Sequence, residues 1–176
     1  MSVVAQLRDR QRIPVDIVQA YQALNLSGWS PWTDPHVLTQ ADVDGFVEGV
    51  GDGNVIHRTS SEGPAVVPGM LTVSALPRYL GRELSFSAPG FATVFGALKV
   101  DFLNLVLVGE PLAMQYFVKQ PDHDERGPKV ECEFRIRLAS RTDLAVEGVL
   151  CLRFVPTRIF DALLKRARQR VLRAQQ

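Results

Sequence analysis

The sequence is poor in the residue types that would announce several common functions. It has two cysteines, Cys132 and Cys151, nineteen positions apart. Two cysteines in strand-like segments read as free core thiols or at most one pair, and they make no disulfide framework. The three histidines, His36, His57 and His123, are widely separated, and no Cys pair stands at ligand spacing; a metal site is therefore not expected. Long apolar runs are also missing. The charge-free stretch from Gly63 to Pro77 covers fifteen residues and is interrupted by Pro64, Pro68 and Gly69, too short and too broken to span a bilayer. Met1 to Arg12 is polar and contains no apolar segment of the secretory type, so a cytoplasmic protein with no membrane partner is the expectation. Nor does one sign of charge dominate. Twenty Lys plus Arg against nineteen Asp plus Glu give a net charge of +1, which argues against nucleic acid as a partner. The balance is local, however: residues 157–176 carry six basic side chains and one acidic one.

What remains is ordinary globular material. The chain has 176 residues, 46% hydrophobic and 22% charged, which suits one domain with a real core. A chain of this size buries roughly 70% of its unfolded surface. Pro14 opens a helical pattern of Ile17, Val18, Tyr21 and Leu24, because proline suits the first turn of a helix. The segment Ser27–Pro35, with Trp29 and Trp32, reads as a connector. Thr39 followed by Asp42 approximates a capping box, and Val43, Phe46, Val47 and Val50 supply the apolar stripe of a helix ending near Val50. Gly51-Asp52-Gly53-Asn54 then favours a turn.

The charge-free stretch holds Met70, Leu71, Val73, Leu76, Tyr79 and Leu80, a helix apolar nearly all round and so an interior one. Pro68 fits its first turn, whereas Pro77 should kink or end it. From Phe91 the period changes to two. Val130, Cys132, Phe134, Ile136 and Leu138 alternate with Glu131, Glu133, Arg135 and Arg137, and further strands are expected at 92–104, 111–119 and 145–155. His123 falls in a turn expected at Gln120–Pro128, read as a solvated hairpin loop. The fold class expected is α+β, an antiparallel meander packed on a central helix.

Three kinds of catalytic or ligand-binding motif find no support. No Gly-x-Ser-x-Gly elbow and no lysine-bearing phosphate loop occur. The glycines at 49, 51 and 53 follow a helix rather than a strand, and Asp52 would repel a pyrophosphate. The segment Gly51-Asp52-Gly53-Asn54-Val55-Ile56-His57 is more suggestive. Asp52 and His57 are five apart, about 140° around a regular helix, so they converge only if the backbone turns between them. Gly53 and Asn54 make such a turn cheap. A carboxylate beside an imidazole can hold a water and move its protons. The same residues also admit a plain reading, with Asp52 capping a turn and His57 hydrogen-bonded in the interior.

From about Val37 to Leu112 the chain resembles the MaoC-like hot-dog family, the (R)-specific enoyl-CoA hydratases and related acyl-thioester dehydratases. The resemblance rests on Leu38-Thr39-Gln40-Ala41-Asp42-Val43 leading to Phe46, then Gly51-Asp52-x-Asn54-x-Ile56-His57. Val67-Pro68-Gly69-Met70-Leu71-Thr72 and Val100-Asp101-Phe102 with Gly109-Glu110 complete it. The chain departs from the family in three places. Asn54-Val55 replaces Asn-Pro, Pro68-Gly69-Met70 replaces His-Gly-Met, and Pro77 stands where some relatives have a hydroxyl residue supporting the catalytic Asp.

The resemblance implies a hot-dog fold, a long central helix wrapped by the antiparallel sheet. Its expected divisions are an N-terminal helix and connector (1–36), a hot-dog domain (37–156) and a basic amphipathic helix (157–176). It implies that Asp52 and His57 are the catalytic pair, that the Gly69 amide meets the thioester carbonyl, and that no cofactor is required. It also implies a homodimer acting on acyl-CoA or acyl-carrier-protein thioesters. The activity implied is reversible hydration of a 2-enoyl thioester to a (3R)-hydroxyacyl thioester. A specialised dehydratase of polyketide or fatty-acid synthesis, conjugate addition of an amine or thiol, thioester hydrolysis and a non-catalytic partner subunit are the alternatives. Met70, Leu71, Phe91 and Phe95 are candidate acyl-pocket residues, each equally readable as core. The terminal helix, with Ile159, Phe160, Leu163, Leu164 and Val171 on its apolar side, is expected to dock on its own domain. Its Arg158, Lys165, Arg166, Arg168, Arg170 and Arg173 would face solvent, or attract an acidic carrier protein or the phosphates of CoA.

Overall fold

In the computed structural model the described residues are 13–24, 27–61, 63–74, 76 and 88–174. Their order is α1 (Val15–Ala23), β1 (His36–Val37), α2 (Gln40–Val50), a 3-10 turn (Val55–His57), α3 (Gly69–Ser74), β2 (Phe91–Phe102), β3 (Pro111–Val118), β4 (Asp122–Asp124), β5 (Gly127–Leu138), β6 (Leu144–Pro156) and α4 (Thr157–Ala174). The expected α1, α2 and four long strands form within two or three residues of their sequence bounds. The later residues of the apolar stretch, Pro77, Tyr79 and Leu80, lie outside the described residues.

All pairings are antiparallel, in the order β1-β3-β5-β6-β2, with β4 alongside β5. Alternation decides which face is covered. Leu112, Met114 and Val118 of β3, Val130, Cys132, Phe134, Ile136 and Leu138 of β5, and Leu150 and Phe154 of β6 are buried. They form one core with Ile17, Val43, Leu71 and Val73 of the helices. Leu71 is thus a core residue. Phe91 packs against the same core and pairs with Pro156.

Cys132 and Cys151 are both free. They belong to adjacent pairs of the β5–β6 ladder, Cys132 opposite Leu150 and Cys151 opposite Glu131, so their side chains leave on opposite faces of the sheet. Burial pushes the Cys132 thiol up to about 12.

One expectation is corrected at the rim of the sheet, and another gains a structural role. His123 lies in a hairpin, as expected, but on its ladder rather than in its loop: Asp122–Asp124 pairs with Gly127–Lys129. Arg153 of β6 ties it down through bonds to both Asp124 oxygens, at 2.8 and 2.6 Å, which holds that carboxyl well below the usual carboxylate range. The connector with the two tryptophans also has a structural job. Ser30 and Thr33 donate their amides to the Tyr116 and Met114 carbonyls, and their hydroxyls accept from the Tyr116 and Met114 amides. This ends the β3 edge, a surface that otherwise invites foreign strands. Trp29 and Trp32 fold over the outer face beneath the guanidinium groups of Arg135 and Arg137, at 4.2 and 4.3 Å.

A close approach between β2 and β6 depends on Gly148. A Cβ there would fall on the Lys99 carbonyl and come within 2.8 Å of the Phe134 ring. Backbone cannot retreat cheaply inside a sheet, so Gly148→Ala is expected to cost about 3 kcal/mol of stability. Urea titration of the variant measures this; an unchanged midpoint would contradict the packing described.

Helix α4 overturns another expectation. Its packing is against β6 and β2, and from Asp161 onward every described side chain is exposed. It does not dock on its own domain. Ile159, Leu163, Leu164, Val171 and Leu172 all keep 38% or more of their surface in solvent.

Candidate active site

The site is built where α2 ends. Thr39 caps the helix start through a full capping box with Asp42, which fixes the direction in which α2 delivers its last turn. Gly51 then takes a left-handed conformation (φ 70°), and its amide donates to Glu48 and Val47, a glycine helix stop. The reversal thus occurs at Gly51; Gly53, the turn residue expected from sequence, has no positive φ. Asn54 acts as expected. Its side chain accepts from the Ile56 amide, and its own amide donates to Asp52 Oδ1 at 2.9 Å. These bonds wind Val55–His57 into a 3-10 turn and swing the two functional side chains together.

Asp52 Oδ2 lies 3.4 Å from His57 Nε2; the imidazole is buried, while Asp52 keeps 36% of its side-chain surface. The other imidazole nitrogen fixes the chemistry. Nδ1 is 2.6 Å from the Val66 carbonyl oxygen. A carbonyl can only accept, so Nδ1 carries the hydrogen and the neutral ring presents a lone pair at Nε2. Two acceptors therefore face each other, one of them anionic. The group that satisfies both is a donor with two hydrogens, which water is.

Gln40 braces this arrangement. Its side-chain amide donates to the His57 carbonyl at 3.2 Å and to Asp44 at 2.8 Å, and its oxygen accepts from Thr59 at 2.8 Å. No local pattern signals this role, since the partner lies seventeen residues away. Gln40→Ala is expected to lower kcat about tenfold with KM little changed, because the ring loses orientation rather than chemistry. Steady-state kinetics separate the two parameters; a changed KM alone would count against the brace.

The strand-like run after the turn connects the pair to α3. Val66, which holds the imidazole, donates its amide to Ile56, and Val67 and Val108 bond across to Val106 and Ala65. Gly69 follows Val66 by three residues, within about 10 Å of chain. Pro68 caps α3, its carbonyl accepting from Leu71 and Thr72. As the first residue of α3, Gly69 has an amide that the helix itself leaves unpaired. The Phe102 ring approaches this residue so closely that a Cβ on Gly69 would meet it at 2.7 Å.

An apolar groove of about 660 Å³ is lined by Phe46, Val50, Met70, Val73, Phe95 and Leu98 among others. Val50 is two residues before Asp52 and Met70 directly follows Gly69, so the groove shares the elements that carry the candidate residues, while Asp52, His57 and Gly69 are not themselves in its lining. Of the four acyl-pocket candidates it takes Met70 and Phe95; Leu71 belongs to the core and Phe91 packs against it. Among the described residues no group of three or more His, Cys, Asp or Glu is placed to hold a metal ion, and no helix is long and apolar enough to cross a membrane.

No family model and no curated protein matches the sequence. Solved structures do match. The (R)-hydratase from A. caviae involved in PHA biosynthesis superposes with a TM-score of 0.56 at 24% identity, over 73% of this chain and 96% of the other. The chain has the hot-dog fold. The C-terminally truncated HadBC complex of Mycobacterium tuberculosis, a 3R-hydroxyacyl-ACP dehydratase, gives 0.56 at 17% identity, over 71% and 92%. The MaoC-like dehydratase from Rhodospirillum rubrum gives 0.52 at 17%, over 70% and 88%. In hot-dog terms, α3 is the described part of the central helix and the five-strand path is its wrapping sheet, in keeping with the MaoC-like resemblance of the sequence.

Proposed function

We propose that this chain is a hot-dog hydro-lyase that adds water to 2-enoyl thioesters and, in reverse, dehydrates (3R)-hydroxyacyl thioesters. One observation carries the reading: His57 Nε2 and the Asp52 carboxylate lie 3.4 Å apart, with His57 Nδ1 held by the Val66 carbonyl at 2.6 Å. The similar hot-dog structures include an (R)-hydratase and a 3R-hydroxyacyl-ACP dehydratase, which supports the reaction class and its stereochemistry.

In the proposed step, Asp52 and His57 hold one water against C3. A water O–H bond breaks, its proton moves to the pair, and the O–C3 bond forms. The C2–C3 π pair shifts through C1 onto the thioester oxygen, where the Gly69 amide donates to the developing charge at the positive end of α3. When that electron pair returns, C2 takes the proton back from the pair. The acyl chain lies along Met70 and Phe95 in the groove. A homodimer fits the exposed β2 edge.

The test offers purified protein crotonyl-CoA and a longer enoyl-CoA while following enoyl absorbance and free thiol together. Loss of absorbance without thiol release is expected. Thiol release would indicate a thioesterase, and no change in either would favour a non-catalytic subunit.

A further inference from the structure

We infer that α4 of one copy reaches the active site of a second copy, where its cations receive the phosphates of the substrate's carrier. The inference rests on the hydro-lyase reading for its substrate, but not for its geometry. Among the described strands, β2 pairs with β6 on one side only. It is twelve residues long, and Phe95, Leu98 and Phe102 on it are 44–62% exposed. A long apolar edge of this kind is a template for another strand, and a second copy offers an identical one. Two such edges pair symmetrically when they run antiparallel about the strand middle, near Gly96 and Ala97. That register sets Phe91 of one copy opposite Phe102 of the other.

The two ends of β2 differ in what they carry. Phe91 pairs with Pro156, and Thr157 donates its amide to Gly90 at 2.9 Å, so α4 is rooted at this end. Phe102 touches Gly69 and marks the other end as the active-site end. Within one copy these ends lie eleven residues apart, about 36 Å along an extended strand. Across the pairing they are neighbours. The arm therefore emerges beside the partner's site rather than its own.

Apolar and charged surfaces both fit this occupant. Phe160, Leu164, Ala167 and Val171 form a seam with spacings of four, three and four, and among the described residues nothing covers it beyond the first turn. At the other copy's site end, Leu103 and Leu105 are 47% and 69% exposed and extend beyond Phe102. Pairing one α4 with another is disfavoured, since residues 157–176 carry six basic groups and one acid. Lys165, Arg166, Arg168, Arg170 and Arg173 have no ion-pair partner among the described residues, and they suit phosphate oxygens.

Heterodimers assembled from differently tagged chains test the arrangement. The helix is neutralised as K165Q/R166Q/R168Q/R170Q/R173Q, which keeps its apolar seam. When the intact site is on the neutralised chain and its partner is D52N with a native helix, the KM for crotonyl-CoA is expected to match wild type. When D52N and the neutralised helix share one chain, the intact site should show a KM raised about tenfold. The reverse pattern, or equal values, overturns the inference, and so does an equal rise with crotonyl-pantetheine, which has no phosphate. A second measurement needs no activity. In a C151S background, chains carrying I159C are mixed with chains carrying L105C and treated with a short bismaleimide. An inter-chain adduct is expected, and a folded dimer without one refutes the placement of α4 while leaving the Asp52–His57 assignment intact.

Discussion

Asp52→Asn is expected to lower kcat for enoyl hydration by about 10³-fold with the fold unchanged. The reason is the pair's geometry. An Asn oxygen can still accept the Asn54 amide at the Oδ1 position, so the turn survives. The nitrogen at the Oδ2 position then donates to His57 Nε2, 3.4 Å away, and occupies the lone pair that should receive water. His57→Ala is expected to give a similar loss of turnover. It also strands the Val66 carbonyl, which costs about 1–3 kcal/mol of stability. Circular dichroism and steady-state rates on both variants check this, and activity within threefold of wild type in both would reject the assignment.

Gly69→Ala should have the next largest effect. The new Cβ would stand 2.7–3.1 Å from three carbons of the Phe102 ring. Either the ring moves or the start of α3 does, and in the second case the amide leaves the carbonyl it is proposed to hold. A displacement of about 1 Å can cost about 10²-fold in rate, so kcat is expected to fall by that order with KM nearly constant. Adding Phe102→Leu removes part of the clash, and at least partial recovery is expected in the double variant. Kinetics of the single and double variants decide. A single variant with full activity would remove Gly69 from the mechanism.

Local chemistry made much of the fold legible. The alternation Val130 to Leu138 gave β5 because one face meets the core and the other the solvent. Thr39 and Asp42 gave the start of α2 because a capping box is a contact between residues three apart. The Asp52–His57 pair could be found for the same reason, since its turn lies within six residues. Long-range contacts were not legible. The hold of Gln40 on His57, the seal of Ser30 and Thr33 on β3, and the Val66 carbonyl that fixes the imidazole tautomer all join residues nine to eighty-six apart. No periodicity encodes them. Gly51 and Gly53 both fit the turn at 51–54 by composition, and only the left-handed dihedral of Gly51 separates them. The amphipathic pattern of α4 marked a helix, but its apolar side is exposed rather than docked on its own domain, because a periodicity says which residues share a face and not what covers them.

In the proposed reaction one pair of groups, on one side of the double bond, delivers both the hydroxyl and the proton. Hydration of crotonyl-CoA in deuterium oxide tests this through the configuration of the product at C2 and C3. Delivery from a single Asp52–His57 pair predicts one diastereomer, with deuterium and hydroxyl added to the same face. An anti product, or deuterium scrambled at C2, would contradict it.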